Sequence, residues 1–462
     1  MNKPPLSPPM EPLDYPASAV RNEVSTLVED PRTDTVTAAV TDGFGRLMGK
    51  RLTKRYYNAT ERKKPILMCE AIFATDIRLG DVPNILGQNA SFQDFQAIPD
   101  NSTACRSPWA PNEVLLLCDC MRMTGEPLAI SPRQILKAQI DAAAAMGLKF
   151  QMASELEFYL LGATDELPPT QISRQRLRDA GQRQDYHLGQ TAVDEPVIAQ
   201  LRNDLPAMGI PVEYHKGEGG TGQHEIVVGH AGALAAADRH VLFKHAVKQV
   251  AANAGRVATF VAKLSDFEDG SGGHVHCSLW SLNGRSAGGT SSRKDELSPE
   301  MQSFIAGIIA YIPELMPLCA PLVNSYKRYR PGVFAPYDLR WAFDDRRAAV
   351  RVLGEGDSLR LEFRIPGADM NPYLAYSALI ASGLEGLRQR LELPAPGEPP
   401  VAGPTLPATL SAAVRAFEQS AFARSAFGVE TVQYYAALSG WEANLYAVTV
   451  TDWERARYYR EA

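Results

Sequence analysis

Hydrophobic and polar residues alternate along residues 150–161, which is the pattern of a β-strand with one buried face. The apolar set of alternate positions consists of Phe150, Met152, Leu156, Phe158 and Leu160. Glu155 and Glu157 lie on the opposite face, where alternate side chains are roughly 7 Å apart and point the same way. Such carboxylates repel each other unless a positive charge lies close by. The pattern therefore has two interpretations, a divalent-cation site or a solvent-facing strand with two surface acids.

The same signals predict the elements around this strand. Residues 33–52 read as a β-hairpin, and residues 112–121 read as a further strand. Helices are predicted for residues 131–147, which open on Ser-Pro, and for residues 231–254, which end before a glycine. Residues 80–110 are rich in Asn, Pro, Asp and Ser, and we expect loops there.

Length and composition set the domain organisation. A chain of 462 residues can form two domains. We expect a flexible proline-rich tail over residues 1–34, a small β-rich domain over 35–125 and a large domain over 126–462. Residues 391–407 are proline-rich and read as a connecting loop.

Charge and cysteine usage exclude several classes of protein. A net charge of −6 argues against nucleic acid or a membrane as the main partner. The six cysteines show no CxxC pairing, which fits a reducing cytoplasm, and the N-terminus lacks a secretory apolar segment. The apolar run 304–323 contains Glu314 and three prolines, so it predicts buried helices and not a membrane span.

Three further stretches carry polar residues in groups. Glu218 and Glu225 flank a glycine-rich turn, and His274, His276 and Ser278 share one face of a predicted strand. Arginines cluster in the last third of the chain, at Arg328, Arg346, Arg347, Arg351, Arg360 and Arg364. Each group alone also fits surface acids, half-buried histidines or a solvated basic face.

Taken together, these groups indicate one kind of chemistry. Hard oxygen ligands with at most one imidazole suit Mg²⁺ or Mn²⁺ better than zinc. Arginines beside divalent cations suit phosphoryl transfer, in which charge neutralisation does most of the catalysis. The sequence has no GxxxxGK[ST] motif, which argues against a P-loop nucleotide site. The residues alone therefore predict a metal-dependent, phosphate-using enzyme.

Five motifs, in this order and spacing, resemble the glutamine synthetase family: SELEFYLL (154–161), GTGQHE (220–225), GSGGHVHCSL (270–279), NSYKRYRPG (324–332) and RLEFRIPGADMNPYL (360–374). The resemblance covers roughly residues 35–460. It implies an α+β fold with a small β-grasp N-terminal domain and a large catalytic domain, whose curved antiparallel sheet has flanking helices. It also implies a homo-oligomer, a dodecamer of two stacked hexameric rings with active sites between neighbouring subunits. The implied reaction joins the γ-carboxylate of glutamate to an amine through γ-glutamyl phosphate, which is made from ATP.

The resemblance also implies roles for individual residues. One Mg²⁺ or Mn²⁺ ion is expected on Glu157, Glu218 and Glu225, and a second on Glu155, His274 and Glu362. The residues expected to contact ATP are His276, Ser278, Arg351 and Arg360. Those expected to hold glutamate are Arg328, Arg364, Gly270 and Asp269. Arg346 is expected to stabilise the transferring phosphoryl group, and Tyr186 to lie near the acceptor amine.

Two departures from the family pattern concern the amine. Phe73, in IFATDI, stands where ammonia-using members carry an Asp, and Phe334 stands where they carry a flap Glu. Aromatic rings in both places predict a pocket for an organic amine. Asp76 is the expected general base, and Asp338 the expected partner for the distal ammonium of a diamine.

The acceptor itself is left open by the sequence. The IFATDI stretch is most similar to γ-glutamylpolyamine (putrescine-type) synthetases, but ethanolamine, alkylamines and anilines also fit. Two alternatives stand beside this prediction: an ordinary ammonia-using glutamine synthetase, and a catalytically silent family member that acts as a binding or structural assembly. Residues 391–407 contain no tyrosine, so control by adenylylation is not expected.

Overall fold

The computed structural model describes residues 24–61, 64–87, 91–162, 185–290, 296–397 and 405–462. Most of the predicted tail, residues 1–23, therefore lies outside the described residues. The rest of that segment is folded, because helix α1 (Val24–Glu29) buries Leu27 and Val28 against the first sheet. The prediction of a flexible tail up to residue 34 is thus wrong for residues 24–34, because two apolar side chains of this segment are buried.

The first sheet contains six strands in the described residues: β1 (Thr35–Thr41), β2 (Leu47–Thr53), β3 (Ile66–Cys69), β4 (Asp94–Pro99), β5 (Cys105–Ser107) and β6 (Ala110–Met121). Their order is β2-β1-β6-β4-β3, with β5 paired to β6. Strands β1 and β6 are parallel, and the other pairs are antiparallel. The predicted hairpin is confirmed, since Thr41 pairs with Leu47 around a turn in which Gly45 has φ +78°.

Strands β4 and β5 correct the loop predicted for residues 80–110. Phe95 and Ala97 on β4 are fully buried, because β4 pairs with β3 on one side and β6 on the other. The alternation in this short strand is hidden among turn-forming residues. β4 is therefore a strand because it pairs with β3 and β6, and not because its own residues favour a strand.

The second sheet contains nine strands in the described residues: β7 (Leu148–Gly162), β8 (Val212–Gly217), β9 (Gln223–Val228), β10 (Ala231–Gly232), β11 (Arg256–Thr259), β12 (Gly273–Ser281), β13 (Trp341–Phe343), β14 (Val350–Leu353) and β15 (Arg360–Phe363). The order is β13-β14-β15-β12-β7-β9-β8, and β10 and β11 also pair with β7. Only the β13–β14 pair is parallel. The predicted strand of residues 150–161 is thus the central strand of a largely antiparallel sheet.

Besides α1, the described residues contain twelve further α-helices, of which those over residues 132–145 and 233–253 contact β7. They are α2 (Lys54–Tyr56), α3 (Pro132–Ala145), α4 (Leu188–Thr191), α5 (Glu195–Ala207), α6 (Ala233–Asn253), α7 (Pro299–Tyr311), α8 (Met316–Cys319), α9 (Pro372–Gln389), α10 (Leu410–Gln419), α11 (Ala421–Phe427), α12 (Val429–Ala447) and α13 (Asp452–Tyr458). Helix α9 is buried along most of its length and packs against α3, α6 and α7. The segment Pro299–Cys319 is long and apolar enough to cross a membrane by composition alone, but 72% of its apolar window is buried inside the protein. It is therefore a core segment, as expected.

A buried ionic cluster links the first sheet to these helices. Arg133 on α3 is 3% exposed, and it binds Asp119 on β6 and, at 2.6 Å, Asp100 after β4. The same guanidinium binds Asp238 on α6 at 3.0 Å, and the Tyr373 hydroxyl on α9 donates to Asp238 at 2.6 Å. One buried cation therefore neutralises carboxylates from three separate segments.

We expect Arg133→Met to destabilise the protein by about 3–5 kcal/mol, because it leaves buried carboxylates without a counter-charge. The control is Arg122→Met, since Arg122 pairs with Glu430 on the surface, with 37% and 54% of the side chains exposed. That change should cost less than about 1 kcal/mol. Denaturant unfolding of the two variants measures the difference, and equal midpoints would contradict this role of Arg133.

Candidate active site

The acids of β7 face other polar side chains across both neighbouring strands. Glu155 lies opposite His274 on β12, and Glu157 lies opposite Glu225 on β9. The partner residues are buried, with 4% exposure for Glu225, 6% for His274 and 0% for Glu362 on β15. The alternative of a solvent-facing strand with two surface acids is therefore wrong, because both acids are only partly exposed and face buried polar side chains.

The register gathers six possible ligands into two clusters. In one, the ligand atoms of Glu157, Glu218 and Glu225 lie within 4.8 Å of one another. In the other, those of Glu155, His274 and Glu362 lie equally close. These are the two sets expected from the motifs, and the structure brings each set together from separate segments.

The cluster around Glu157 concentrates negative charge. Burial, followed by the charge of Glu218, raises the pKa of Glu157 to about 8. Burial, followed by the charges of Glu155 and Glu218, raises the pKa of Glu225 to about 10. Glu157 and Glu225 therefore ionise together only at a cost unless a cation balances them, and a set of oxygen donors is what Mg²⁺ and Mn²⁺ prefer.

Glu157 is held in place by groups outside the cluster. Its Oε2 accepts hydrogen bonds from the Gly272 backbone N–H at 2.8 Å and from the Gln223 side-chain amide at 3.1 Å. The same amide also donates to the Gly270 carbonyl at 3.1 Å. Gln223 was not predicted as a site residue. Its position inside the GTGQHE motif was the available signal, but its contact with Glu157 depends on the register between β7 and β9.

The second cluster combines carboxylates with imidazoles. His276 Nε2 lies 2.7 Å from Glu155 Oε1, and its Nδ1 accepts from Arg360 at 3.1 Å. Burial opposes ionisation of Glu155, but hydrogen bonds with His274 and His276 outweigh it and lower its pKa. Burial lowers the pKa of His274 to about 4, so this ring is neutral at pH 7 and can donate a lone pair to a metal.

Glu362 is surrounded by guanidinium groups. Arg351 donates to Glu362 Oε2 at 2.7 Å, and Arg364 donates to its other oxygen. Burial opposes ionisation of Glu362, but the neighbouring His274 ring and the charge of Arg364 outweigh it and lower its pKa. The expected ATP contacts Arg351, Arg360 and His276 are therefore joined to the second cluster in one hydrogen-bonded network.

Two buried arginines lie beside the glycine loop. Arg328 donates to the carbonyls of Ile365 at 2.7 Å and of Arg364 at 2.9 Å. Arg364 Nε is buried and has no hydrogen-bond partner among the described residues, so it can serve a carboxylate ligand. A Cβ on Gly270 would lie 2.7 Å from Arg328 Cγ, so only glycine allows this close approach. The structure thus places Arg328, Arg364 and Gly270 next to one another.

Asp269 lies against the glycine-rich turn that carries Glu218. A Cβ on Gly219 would be 2.1 Å from Asp269 Oδ2, so the two segments touch. The Tyr159 hydroxyl donates to the Asp269 carbonyl at 2.7 Å and fixes this contact from β7. The expected glutamate contact Asp269 therefore neighbours the first cluster.

Two further residues were expected to act on phosphate, Ser278 and Arg346. Ser278 follows His276 on the same face of β12 and accepts from the Trp280 indole at 2.8 Å. Arg346 is exposed on the turn between β13 and β14. Its neighbour Arg347 is paired with Asp345 at 2.9 Å.

Two exposed aromatic residues contact residues of the site. Phe334 is 73% exposed, and its carbonyl accepts from Arg364 at 3.4 Å. Tyr186 is 69% exposed in a left-handed conformation with φ 59°, and Lys216 Nζ lies 4.6 Å from the centre of its ring. Both rings are exposed, and their contact with an acceptor stays a prediction.

The structure contradicts a pocket role for Phe73. Its side chain is 1% exposed and packs against Phe95 at 5.7 Å, while the Tyr434 hydroxyl donates to its carbonyl at 2.9 Å. A ring held inside the core of the first sheet offers no surface to a ligand. The replacement of an Asp by Phe at this position therefore serves packing in this chain.

The two acids expected at the amine have partners of their own. Asp76 Oδ1 accepts from the backbone N–H groups of Arg78 and Gly80, both at 2.8 Å, and so closes its own turn. Asp338 forms a two-pronged ion pair in which Arg340 Nε lies 2.8 Å and 3.0 Å from its oxygens. Burial opposes ionisation of Asp338, but hydrogen bonds from Arg340 lower its pKa. The prediction that Asp338 binds the distal ammonium of a diamine is thus wrong for this structure, because Arg340 already occupies that carboxylate.

A largely antiparallel sheet with two three-ligand clusters on one face and arginines at its border defines a catalytic domain of the glutamine synthetase type. The family model described as "Glutamine synthetase, catalytic domain" matches residues 129–458. This chain belongs to the glutamine synthetase family.

Comparison with known proteins also finds chains that are similar over nearly their whole length. Gamma-glutamylethanolamide synthetase GlnA4 of Streptomyces coelicolor is 36% identical over 443 residues, which cover 95% of each chain. Glutamate–isopropylamine ligase of a Pseudomonas species is 33% identical and covers 94% of this chain and 97% of its own. A solved structure described as "Apo GmaS without ligand" superposes with a TM-score of 0.82 at 26% identity, over 94% of this chain and 99% of that one.

We expect the stability of the metal-free protein to depend on Glu157. Its pKa rises from 4.5 in the unfolded chain to about 8, so its stabilising contribution is complete below pH 4.5 and is lost as the pH rises to 8. The melting temperature without metal should therefore fall between about pH 5 and pH 8, and Mg²⁺ should raise it more at pH 8 than at pH 6.

Glu157→Gln tests this assignment, because the amide keeps the shape of the side chain and removes its charge. The variant should show a smaller fall of the melting temperature with pH and a weaker response to Mg²⁺. Glu213→Gln on the exposed side of β8 is the control and should behave as the wild type. An unchanged pH dependence and an unchanged Mg²⁺ response in Glu157→Gln would contradict the role of this carboxylate.

Proposed function

We propose that this protein is an ATP-dependent ligase that joins the γ-carboxylate of glutamate to an organic amine. The observation that carries the proposal is the pair of three-ligand clusters on one sheet face, bordered by arginines, in a chain of this family. The relatives named as a γ-glutamylethanolamide synthetase and a glutamate–isopropylamine ligase support an amine acceptor.

The reaction has two steps. First, a γ-carboxylate oxygen of glutamate bonds to the terminal phosphorus of ATP, and ADP leaves. Then the amine nitrogen bonds to the carbonyl carbon of γ-glutamyl phosphate, phosphate leaves, and the nitrogen gives up a proton. Both steps move charge between oxygens, so they depend on positioned positive groups.

The six clustered ligands fit two divalent cations. Glu157, Glu218 and Glu225 would hold one, and Glu155, His274 and Glu362 the other; oxygen donors with one imidazole favour Mg²⁺ or Mn²⁺. When bound, these cations neutralise the negative charge of the phosphate oxygens. Burial, together with repulsion from neighbouring carboxylates, raises the pKa of Glu157 and Glu225, which supports a sheet face built for cations.

The other residues are assigned the roles that the family resemblance implies, and their surroundings support most of these assignments. His276, Ser278, Arg351 and Arg360 border the second cluster, and we assign them to ATP. Arg328, Arg364, Gly270 and Asp269 surround the glycine loop, and we assign them to glutamate. Arg346 lies on an exposed turn and is assigned to the transferring phosphoryl group.

An organic amine suits this site better than ammonia. An ammonium ion must lose its hydration, which is costly unless carboxylates replace the water. Phe334 presents an exposed apolar ring where a carboxylate would be needed. An alkyl group gains about 25 cal/mol per Å² of apolar surface buried against such a ring. The complete ligand sets argue against a catalytically silent assembly.

Three further assignments belong to the proposal. We propose a homo-oligomer of stacked rings, as in the family, located in the cytoplasm. We retain Asp76 as the base only for the site of a neighbouring subunit, because no contact among the described residues joins it to the clusters of its own chain. The division into domains 35–125 and 126–462 is proposed to follow the two sheets.

The proposed function is tested by phosphate release with glutamate, ATP and one amine at a time. Ethanolamine, an alkylamine, putrescine, an aniline and ammonium are compared at equal concentration. We expect an organic amine to give the highest kcat/KM and no turnover without a divalent cation. If ammonium gave the highest kcat/KM, the proposal would be wrong and the protein would be an ordinary ammonia-using glutamine synthetase.

We expect Arg346→Ala to reduce kcat and kcat/KM together, on the order of 10³-fold, because the Arg346 guanidinium is proposed to stabilise charge that grows in the transition state. Arg347→Ala is the matched control, since this neighbouring guanidinium is paired with Asp345 and should be nearly neutral. A loss confined to the KM for ATP would show that Arg346 binds the ground state instead.

A further inference from the structure

We propose that the carboxylate of Asp344 competes with the phosphates of ATP and ADP for the guanidinium of Arg351. The inference rests on the proposed function, which assigns Arg351 to ATP. It deepens that function by naming a residue that sets the affinity of the site for its nucleotide. Asp344 is not among the residues that the motifs single out.

Arg351 on β14 binds two carboxylates through different nitrogens. Its Nη1 donates to Glu362 Oε2 at 2.7 Å. Its Nε donates to Asp344 Oδ1 at 2.9 Å, and its Nη2 donates to the same oxygen. A guanidinium binds a phosphate bidentately through the edge formed by Nε and Nη2 or through the edge formed by its two Nη atoms. Asp344 therefore occupies the first edge, and Glu362 binds a nitrogen of the second.

The two carboxylates differ in their exposure to solvent. The Glu362 side chain is fully buried and also binds Arg364, so its bond to Arg351 belongs to the buried network. The side chain of Asp344 is 72% exposed. A carboxylate at the surface regains its hydration when it leaves an ion pair, which is why such pairs are weak. Glu362 is therefore the fixed partner of Arg351, and Asp344 is the exchangeable one.

The exchange requires a movement of the Asp344 side chain alone. The backbone N–H of Asp344 donates to the Val352 carbonyl at 3.0 Å, which fixes the residue beside β14. Its φ of 47° lies in the left-handed region, which Asp and Asn tolerate better than most other residues. Rotation about its side-chain bonds thus removes the carboxylate from Arg351 while the backbone stays in place.

A nucleotide phosphate is the stronger partner for this guanidinium. The phosphates of ATP carry several negative charges, and Arg binds them through charge-assisted hydrogen bonds. A carboxylate that stayed on the same edge would repel them. Binding of the phosphate at this edge and the Asp344–Arg351 pair therefore exclude each other. The apparent affinity for the nucleotide is reduced according to how often Asp344 holds Arg351, and weaker binding of ADP favours its release after the reaction.

Asp345 offers a matched comparison on the same turn. Its carboxylate accepts from Arg347 Nε at 3.0 Å and from Arg347 Nη2 at 2.9 Å. Removing either acid takes one negative charge away from the turn. Of the two acids, Asp344 is the one bonded to Arg351, so the difference between the two variants measures the effect of that contact.

The test measures the binding of ADP to the full-length protein by calorimetric titration in Mg²⁺, without glutamate or amine, so that no turnover takes place. Asp344→Asn should lower the Kd about 5-fold relative to the wild type, because the amide lacks the competing charge and tolerates the left-handed backbone. Asp345→Asn should change the Kd by less than about 2-fold. An unchanged or higher Kd in Asp344→Asn overturns the proposal.

An Arg351→Met background separates competition from a general effect of charge. This variant alone should bind ADP more weakly than the wild type, because it loses a phosphate contact. Adding Asp344→Asn to it should change the Kd no more than Asp345→Asn does, since no guanidinium is left to compete for. An equal gain in both backgrounds overturns the proposal. Arg351→Lys keeps a positive charge beside Glu362 and serves for the same comparison if Arg351→Met does not fold.

Failure of the proposed function gives a different result. A wild type that binds neither ADP nor ATP in Mg²⁺ would refute an ATP-dependent reaction. A wild-type ADP affinity that Arg351→Met leaves unchanged would refute the assignment of Arg351 to the nucleotide. Either result is obtained without any change at Asp344, so it is distinguishable from a failure of the competition itself.

Discussion

The repulsion between carboxylates on one face of the second sheet is the constraint on which the site depends. Glu157, Glu218 and Glu225 have ligand atoms within 4.8 Å of one another, and burial together with the neighbouring carboxylates raises the pKa of Glu157 and of Glu225. A fold keeps such a cluster only if other interactions hold its strands together. Those interactions are the packing of the opposite face and the pairing of β7 with four other strands.

The two faces of β7 therefore have different functions. Phe150, Met152, Leu156, Phe158 and Leu160 pack beneath the sheet and are at most 4% exposed. This packing fixes the strand, and the strand then fixes where Glu155 and Glu157 point. The buried histidines, arginines and glycine loops complete a polar layer above the sheet, in which nearly every group has a named partner. The site is thus held in place before any substrate arrives.

The residues expected to contact the amine show why a motif comparison has to be checked against the structure. Phe73, which stands where ammonia-using members of the family carry an Asp, is a core residue, and Asp338 is paired with Arg340. Phe334 and Tyr186 are exposed, as a contact with an acceptor requires. A sequence position therefore does not establish a contact, because the contact also depends on exposure and on competing partners.

Local pattern by itself determined the elements and the ligand types. The alternation along residues 150–161 predicts a strand with its acids on one face, and the spacing of His274, His276 and Ser278 predicts a shared face, because side chains alternate strictly along a strand. Helices α3 and α6 were also predictable from their periodicity and ends. Tertiary structure decided the rest. Strand β4 forms because β3 and β6 flank it, and Gln223 meets Glu157 because of the register between β7 and β9. These contacts join residues far apart in the chain, and no local pattern encodes which strands become neighbours.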